Sequence, residues 1–173
     1  MLEHLKARGM DCSLYPFMGM DDEVACFPMY DFLGQMTGFQ QYRPDGDKKS
    51  PNHPKLGKYW SYVSSGKLSL FGLESLEFSN TLYLTGGLFK ASTLHRLGYS
   101  AVHVSSASYK VLRPQLQLLN RHFLAIGDND PEGALFVKRY GGWQSPIDVD
   151  EMCDEEVHLM MHDQTYRLLG TYP

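Results

Sequence analysis

The chain is poor in several things, and each shortage closes off a class of protein. It has three cysteines in 173 residues, Cys12, Cys26 and Cys153, none forming a C-x-x-C pair. Neither a disulfide framework nor a zinc ribbon is indicated, and a reducing, cytoplasmic setting is the default. No apolar run reaches membrane-spanning length, and "MLEHLKARGM" lacks the apolar stretch of a secretory leader, so no membrane association is expected. There is no internal repeat and no low-complexity segment. A net charge of −4 is not that of a histone-like nucleic-acid binder. Three catalytic signatures are also missing: the G-x-S-x-G elbow, the G-K-[ST] ending of a phosphate loop, and the H-E-x-x-H metalloprotease helix, although His158 and His162 stand four apart.

What is present has the composition of an ordinary globule large enough to bury a core, with charge unevenly distributed. Residues 43–58 carry Arg43, Lys48, Lys49, Lys55 and Lys58 against Asp45 and Asp47, whereas residues 148–156 carry six acids and no base. In the N-terminal half, "LEHLKARG" reads as a short helix stopped by Gly9. "EVACFPMYD" and "TGFQQYRP" read as a hairpin with Gly34 in its turn and Pro28 at an edge or bulge. A long exposed loop is expected from Pro44 to Lys58, after which "YWSYV" and "KLSLFGL" read as a return to strand or a short ordered segment.

From Thr81 the pattern changes. "TLYLTGG", "SAVHVSS" and "FLAIGDND" are buried strands, each followed by a helical stretch: "LFKASTLHRLG", "RPQLQLLNR" with Pro114 in its first turn, and "PEGALFVKRYGG". "EEVHLMMHDQTYRLLG" closes the chain as a helix. Strand and helix alternating with short links predict an α/β fold: a parallel sheet flanked by helices, carrying an N-terminal, mostly antiparallel β extension. The expected division is residues 1–78 and 79–173.

Ligands of open parallel sheets collect beyond the carboxyl ends of the strands. Here those ends deliver Gly86-Gly87, Ser105-Ser106 and Asp128–Asp130. Two carboxylates one residue apart repel unless a cation lies between them, and an open acidic strand edge suits Mg²⁺. "IDVDEM" supplies a second such pair, Asp148 and Asp150. A plainer reading of D-N-D-P-E-G is a helix entrance, with Asp130 as N-cap and Pro131 at the first helical position. Gly86-Gly87 before a helix is either a phosphate cradle or a tight turn. His95 and His103 read as structural.

These elements, in this order, resemble the Toprim domain of bacterial and phage DNA primases. "AIGDNDPEG" resembles the D-x-D-x-x-G element, "IDVDEM" the later acidic element, and "LTGGLFKASTLHRLGYSAV" the glycine-turned strand and helix that open the domain. "LKARGM", "CFPMYDFLGQMTGFQQYRP" and "LFGLESL" resemble the N-terminal part of the primase RNA-polymerase core. The resemblance implies that Asp128, Asp130, Asp148 and Asp150 fall at metal-binding positions for Mg²⁺ or Mn²⁺. It places Arg43, Lys48, Lys49, Lys55, Lys58, Tyr59 and Trp60 in a region handling single-stranded DNA or nucleotide phosphates, where lysines meet the backbone and rings stack on bases. Nucleoside triphosphates and a helicase or other replication protein are the implied partners, in the host cytoplasm if the chain is phage-encoded. The sequence departs from the pattern at one place. The family's opening glutamate is Gly86, and its aspartate is Lys90, so a proton acceptor and a negative charge are lost and a positive charge is gained. Two expectations follow: a reduced primase core making RNA primers, or a Toprim-derived module without catalysis that binds nucleic acid or a partner protein in replication or counter-defence.

Overall fold

The computed structural model describes residues 1–48, 52–105 and 109–173, with Tyr109 described in its backbone alone. Lys49, Ser106 and Ser108 lie outside the described residues.

The three apolar runs after Thr81 are parallel strands. β6 (Thr81–Thr85) lies between β7 (Ala101–Val104) and β8 (His122–Gly127), and every residue of β6 and β7 is buried. Strands covered on both faces by helices need no polar alternation, which is why these segments read as unbroken apolar runs. A fourth parallel strand, β9 (Gly142–Gln144), pairs with β8; at three residues it carries no sequence pattern of its own. Ahead of these come β1 (Gly19–Met20), β2 (Ala25–Tyr30), β3 (Met36–Tyr42), β4 (Tyr59–Val63) and β5 (Leu70–Phe71), all antiparallel to their neighbours. The described residues form one mixed sheet in the order β4-β3-β2-β5-β7-β6-β8-β9, with β1 beside β2. The expected class, an α/β parallel core with an antiparallel N-terminal extension, is what the chain forms.

Each face of the sheet has its own core. Leu5 of α1 (Leu2–Ala7), Phe89 and Leu94 of α2 (Leu88–Arg96), and Val157 and Met161 of α5 (Asp154–Leu169) pack with Phe27, Tyr83 and Ile126 on one face. Leu112 and Leu116 of α3 (Tyr109–Leu116) and Phe136 of α4 (Pro131–Tyr140) pack with Leu82, Leu84 and Val102 on the other. Alternate residues of β6 thus serve opposite cores, as the two-residue period of a strand requires. At roughly 1.5–3 kcal/mol for each large apolar side chain, these two layers are the main source of stability.

Of the two places the sequence allows Pro28, an edge or a bulge, the strand takes the second, since it is interior to the sheet. Pro28 falls between the β1 pairings at Ala25 and Cys26 and the β5 pairing at Tyr30, beside a register shift at Met29/Tyr30. The helix expected from Pro114 onward starts earlier, at Tyr109, and has Pro114 in its interior. Leu112 and Leu116, four residues apart, face the core, and burying both outweighs the hydrogen bond that proline forfeits; the chain then tightens into Leu118 and Leu119 N–H bonds to carbonyls three residues back.

The helix after β6 lies on one face, and the helix after the adjacent β8 lies on the other. A crevice opens where such connections diverge. It is bounded by Gly86-Gly87 on one side and Asp128–Asp130 on the other. Gly133 makes that turn possible: a Cβ there would sit 2.1 Å from the Asp128 carbonyl oxygen. No described helix is long and apolar enough to cross a membrane.

Candidate functional site

The crevice continues into a cleft of about 430 Å³, bounded by the strand ends on one side and by β3 and β4 on the other. Lys90, in the first turn of α2, reaches across its floor and is 7% exposed. Its ammonium donates to Asp128 Oδ1 and lies 2.9 Å from Asp148 Oδ1. Residues 20 apart in the sequence thus meet on one cation supplied by a third segment. Burial pulls the Lys90 pKa down, but its hydrogen bonds and charge interactions with Asp128 and Asp148 outweigh that and leave it raised. The lysine is therefore charged at neutral pH.

The other two acids of the paired motifs have different partners. The side chain of Asp150 is 7% exposed and accepts from Arg8 Nη2 at 2.5 Å. Arg8 is clamped from several sides: its guanidinium carbon stands 3.9 Å from the Phe89 ring centroid, and its Nη1 reaches Tyr59 Oη at 3.4 Å. Burial lowers the Arg8 pKa, and hydrogen bonds to Tyr42 and Tyr59 with the charge of Asp150 more than reverse this. Asp130 turns away and caps α4, accepting from Gly133 N–H at 2.7 Å, with Pro131 following. This is the helix-entrance arrangement that the sequence left open.

A divalent ion needs converging, unspent oxygen donors. Among the described residues, no three Asp, Glu, His or Cys side chains converge to hold one. Asp128 and Asp148 do converge, but an ammonium lies between them, and a guanidinium holds Asp150. The donor set as arranged does not fit a divalent ion. Gly86 lines the cleft and offers it no side chain.

The basic segment divides. Lys48, Lys58, Tyr59 and Gln40 line the cleft opposite Lys90. Lys55, Trp60 and Arg43 do not line it. The Lys55 ammonium lies 5.3 Å from the Trp60 ring centroid, and Arg43 Nε reaches the Lys55 carbonyl at 3.4 Å. Strand alternation accounts for the split, since Tyr59 and Trp60 are consecutive in β4 and point to opposite faces.

No local pattern singles out Arg8, whose partner is 142 residues away. His103 was read as structural, and it is 5% exposed, but it also lines the cleft floor. Neither ring nitrogen has a hydrogen-bond partner at full geometry among the described residues. Burial, offset in part by the Thr85 backbone, holds its pKa down to about 4, so the ring is neutral. His95 is a structural histidine, bonded through Nδ1 to Tyr15 Oη at 2.6 Å and through Nε2 to the Ala101 carbonyl at 2.7 Å. His158 bonds Tyr99 Oη at 2.6 Å, so the histidine pair on α5 does not converge on a shared ligand.

No family model matches the chain, and no curated protein sequence matches it either. Solved structures do match. The primase fragment of the bacteriophage T7 primase-helicase protein superimposes with a TM-score of 0.66 at 17% identity, over 93% of this chain and 73% of that one. The Escherichia coli primase catalytic core gives 0.55 at 16%, over 80% and 58%. A bacteriophage T7 lagging-strand DNA polymerase complex, in which primase domains are bound to an RNA/DNA hybrid and dTTP, gives 0.59 at 18%, over 97% and 90%. The chain spans a little over half the length of the E. coli core. At these identities the likeness is one of fold: the Toprim-type α/β architecture of primase cores.

Proposed function

We propose that this chain is a primase-fold protein of DNA replication that holds single-stranded nucleic acid in its cleft without catalysing metal-dependent nucleotidyl transfer. One observation carries the reading. Lys90 sits between Asp128 and Asp148 and pairs with both, so the place a divalent ion would take between them is already held by a cation of the chain itself. Making a primer requires cationic charge that bridges phosphate oxygens and a group that accepts the proton of the attacking hydroxyl. Lys90 is spent on the two carboxylates, and position 86 is glycine. Binding asks for less. Lys48 and Lys58 offer positive charge to a phosphate backbone, and Tyr59 offers a ring face at the same wall.

On this reading the segments 1–78 and 79–173 are the two walls of one binding cleft in a cytoplasmic protein. The partner class is single-stranded DNA, with a helicase or another replication protein as the recipient. Nucleoside triphosphates and Mg²⁺ or Mn²⁺ belong to the competing, catalytic reading.

The test pairs binding with synthesis. Single-stranded oligonucleotide binding is expected to persist in EDTA and to weaken with salt, the slope of log K falling by about 0.7 for each phosphate-contacting lysine removed, as in Lys58→Ala. No primer is expected from a single-stranded template with labelled nucleotides and Mg²⁺ or Mn²⁺. Metal-dependent primer made by the wild type and abolished by Asp128→Ala would overturn the proposal.

A further inference from the structure

On the face of β3 and β4 away from the cleft, Phe39, Trp60 and Tyr62 form a contiguous aromatic surface. The Phe39 and Tyr62 rings stack with centroids 5.7 Å apart and planes at 27°, and Trp60 meets Phe39 edge-on at 5.4 Å. None of the three belongs to either core cluster. Tyr62 is 52% exposed, and Phe39 and Trp60 are half-buried. Cross-strand ring pairs do stabilise antiparallel sheets, by roughly 0.2–1 kcal/mol each, and that accounts for Phe39 and Tyr62 touching. It does not account for the cations at the end of the row, where Lys55 lies over Trp60 and Arg43 reaches the Lys55 carbonyl.

We propose that this face is a base-stacking platform for single-stranded nucleic acid: bases lie against Tyr62 and Trp60, and Lys55 and Arg43 meet the phosphates. Every base has a π-face, so stacking of this kind tolerates any sequence. The position in the sheet favours a nucleic-acid occupant over a protein one. β4 is the outermost strand of the sheet, with Tyr59 on the cleft side and Trp60 on the platform side. Lys48 and Lys58 line the cleft side of this rim, and Lys55 and Arg43 stand by Trp60 on the other, so a polyanion crossing the strand meets cations on both sides. The proposal rests on the nucleic-acid part of the reading above and adds a second contact surface to it.

The chain has two tryptophans, and Trp143 is 8% exposed within a core. The difference in emission between the wild type and Trp60→Phe therefore reports Trp60 without disturbing the core. Titration with oligo(dT) is expected to quench that difference signal saturably. An abasic oligomer of equal length, which keeps the phosphates and lacks the bases, should bind without quenching. Tyr62→Ala should weaken oligo(dT) binding roughly five- to a hundredfold with the melting curve little changed. Saturable binding by anisotropy with no quenching and no effect of Tyr62→Ala would overturn the platform and leave the cleft. Quenching that survives Lys48→Ala/Lys58→Ala with unchanged affinity would keep the platform and overturn the cleft. No binding of any oligonucleotide would overturn both. Self-association abolished by Tyr62→Ala, in place of quenching, would assign the face to a second copy of the chain and overturn the proposal.

Discussion

Replacing Lys90 by methionine keeps the apolar stem and the helix preference of residue 90 while deleting the ammonium. Asp128 and Asp148 then face each other without a counter-ion. Breaking a fully buried ion pair costs about 3–5 kcal/mol. Here the carboxylate side chains are 40% and 47% exposed, so water recovers part of the loss. A cost of about 1–2 kcal/mol is the expectation, which for a domain of this size lowers the melting temperature by roughly 2–8 °C. The variant should also gain something the wild type lacks. With the internal cation gone, two converging carboxylates become available to Mn²⁺, and a concentration one hundredfold above the dissociation constant restores about 2.7 kcal/mol. Thermal unfolding of both proteins across a Mn²⁺ series, with EDTA as baseline, provides the assay. The variant should melt lower in EDTA and climb with Mn²⁺, while the wild type stays flat. A wild type stabilised by Mn²⁺ as strongly as the variant would refute the idea that Lys90 occupies the place of an ion.

Acid should destabilise the protein through its buried histidines. His95 and His103 both have pKa values depressed from 6.5 to about 4, chiefly by burial. Between those values the unfolded chain takes up protons that the folded one refuses, so stability falls as pH drops, by about 1.4 kcal/mol per pH unit for each histidine. Urea midpoints at pH 7, 6 and 5 measure this, and a constant midpoint from pH 7 to 5 would contradict it. Asp130→Ala should remove the α4 cap and cost about 1 kcal/mol in chemical denaturation. Because Asp130 bonds Gly133 and not the cleft, oligonucleotide affinity should not change; a large loss of affinity would give Asp130 a role at the ligand instead.

The central sheet was legible because "TLYLT", "AVHV" and "FLAIG" are unbroken apolar runs followed by helical stretches, a pattern that only a sheet covered on both faces produces. β9 was not legible, because three residues cannot display a period, whereas β5 lies inside "KLSLFGL", a stretch that already read as strand or a short ordered segment. The convergence of Asp128 and Asp148 followed from topology: both lie past the carboxyl ends of the parallel strands. Their counter-ion was harder to foresee. Lys90 stood out as a charge reversal against the primase pattern, but no local rule says that its ammonium bridges both acids. Arg8 was invisible, since its guanidinium meets Asp150 only after the first helix folds back against the site. Tyr59 and Trp60 were grouped because they are neighbours in sequence; being neighbours in a strand is what separates them.

The seam between the two parts of the sheet rests on very little backbone. β5 touches β2 at the single pair Tyr30↔Leu70, and it touches β7 at two pairs. So short a ladder cannot by itself dictate alignment, since sliding it by one residue forfeits almost no amide bonding. The slide would, however, turn Phe71 out of a nest where its ring lies 4.8 Å from Tyr15 and 5.6 Å from Phe27. Registration at this joint is thus enforced by side-chain shape, as a key seats a shaft, and the spacing between the lysines on one wall and the aspartates on the other is inherited from how well three rings interlock.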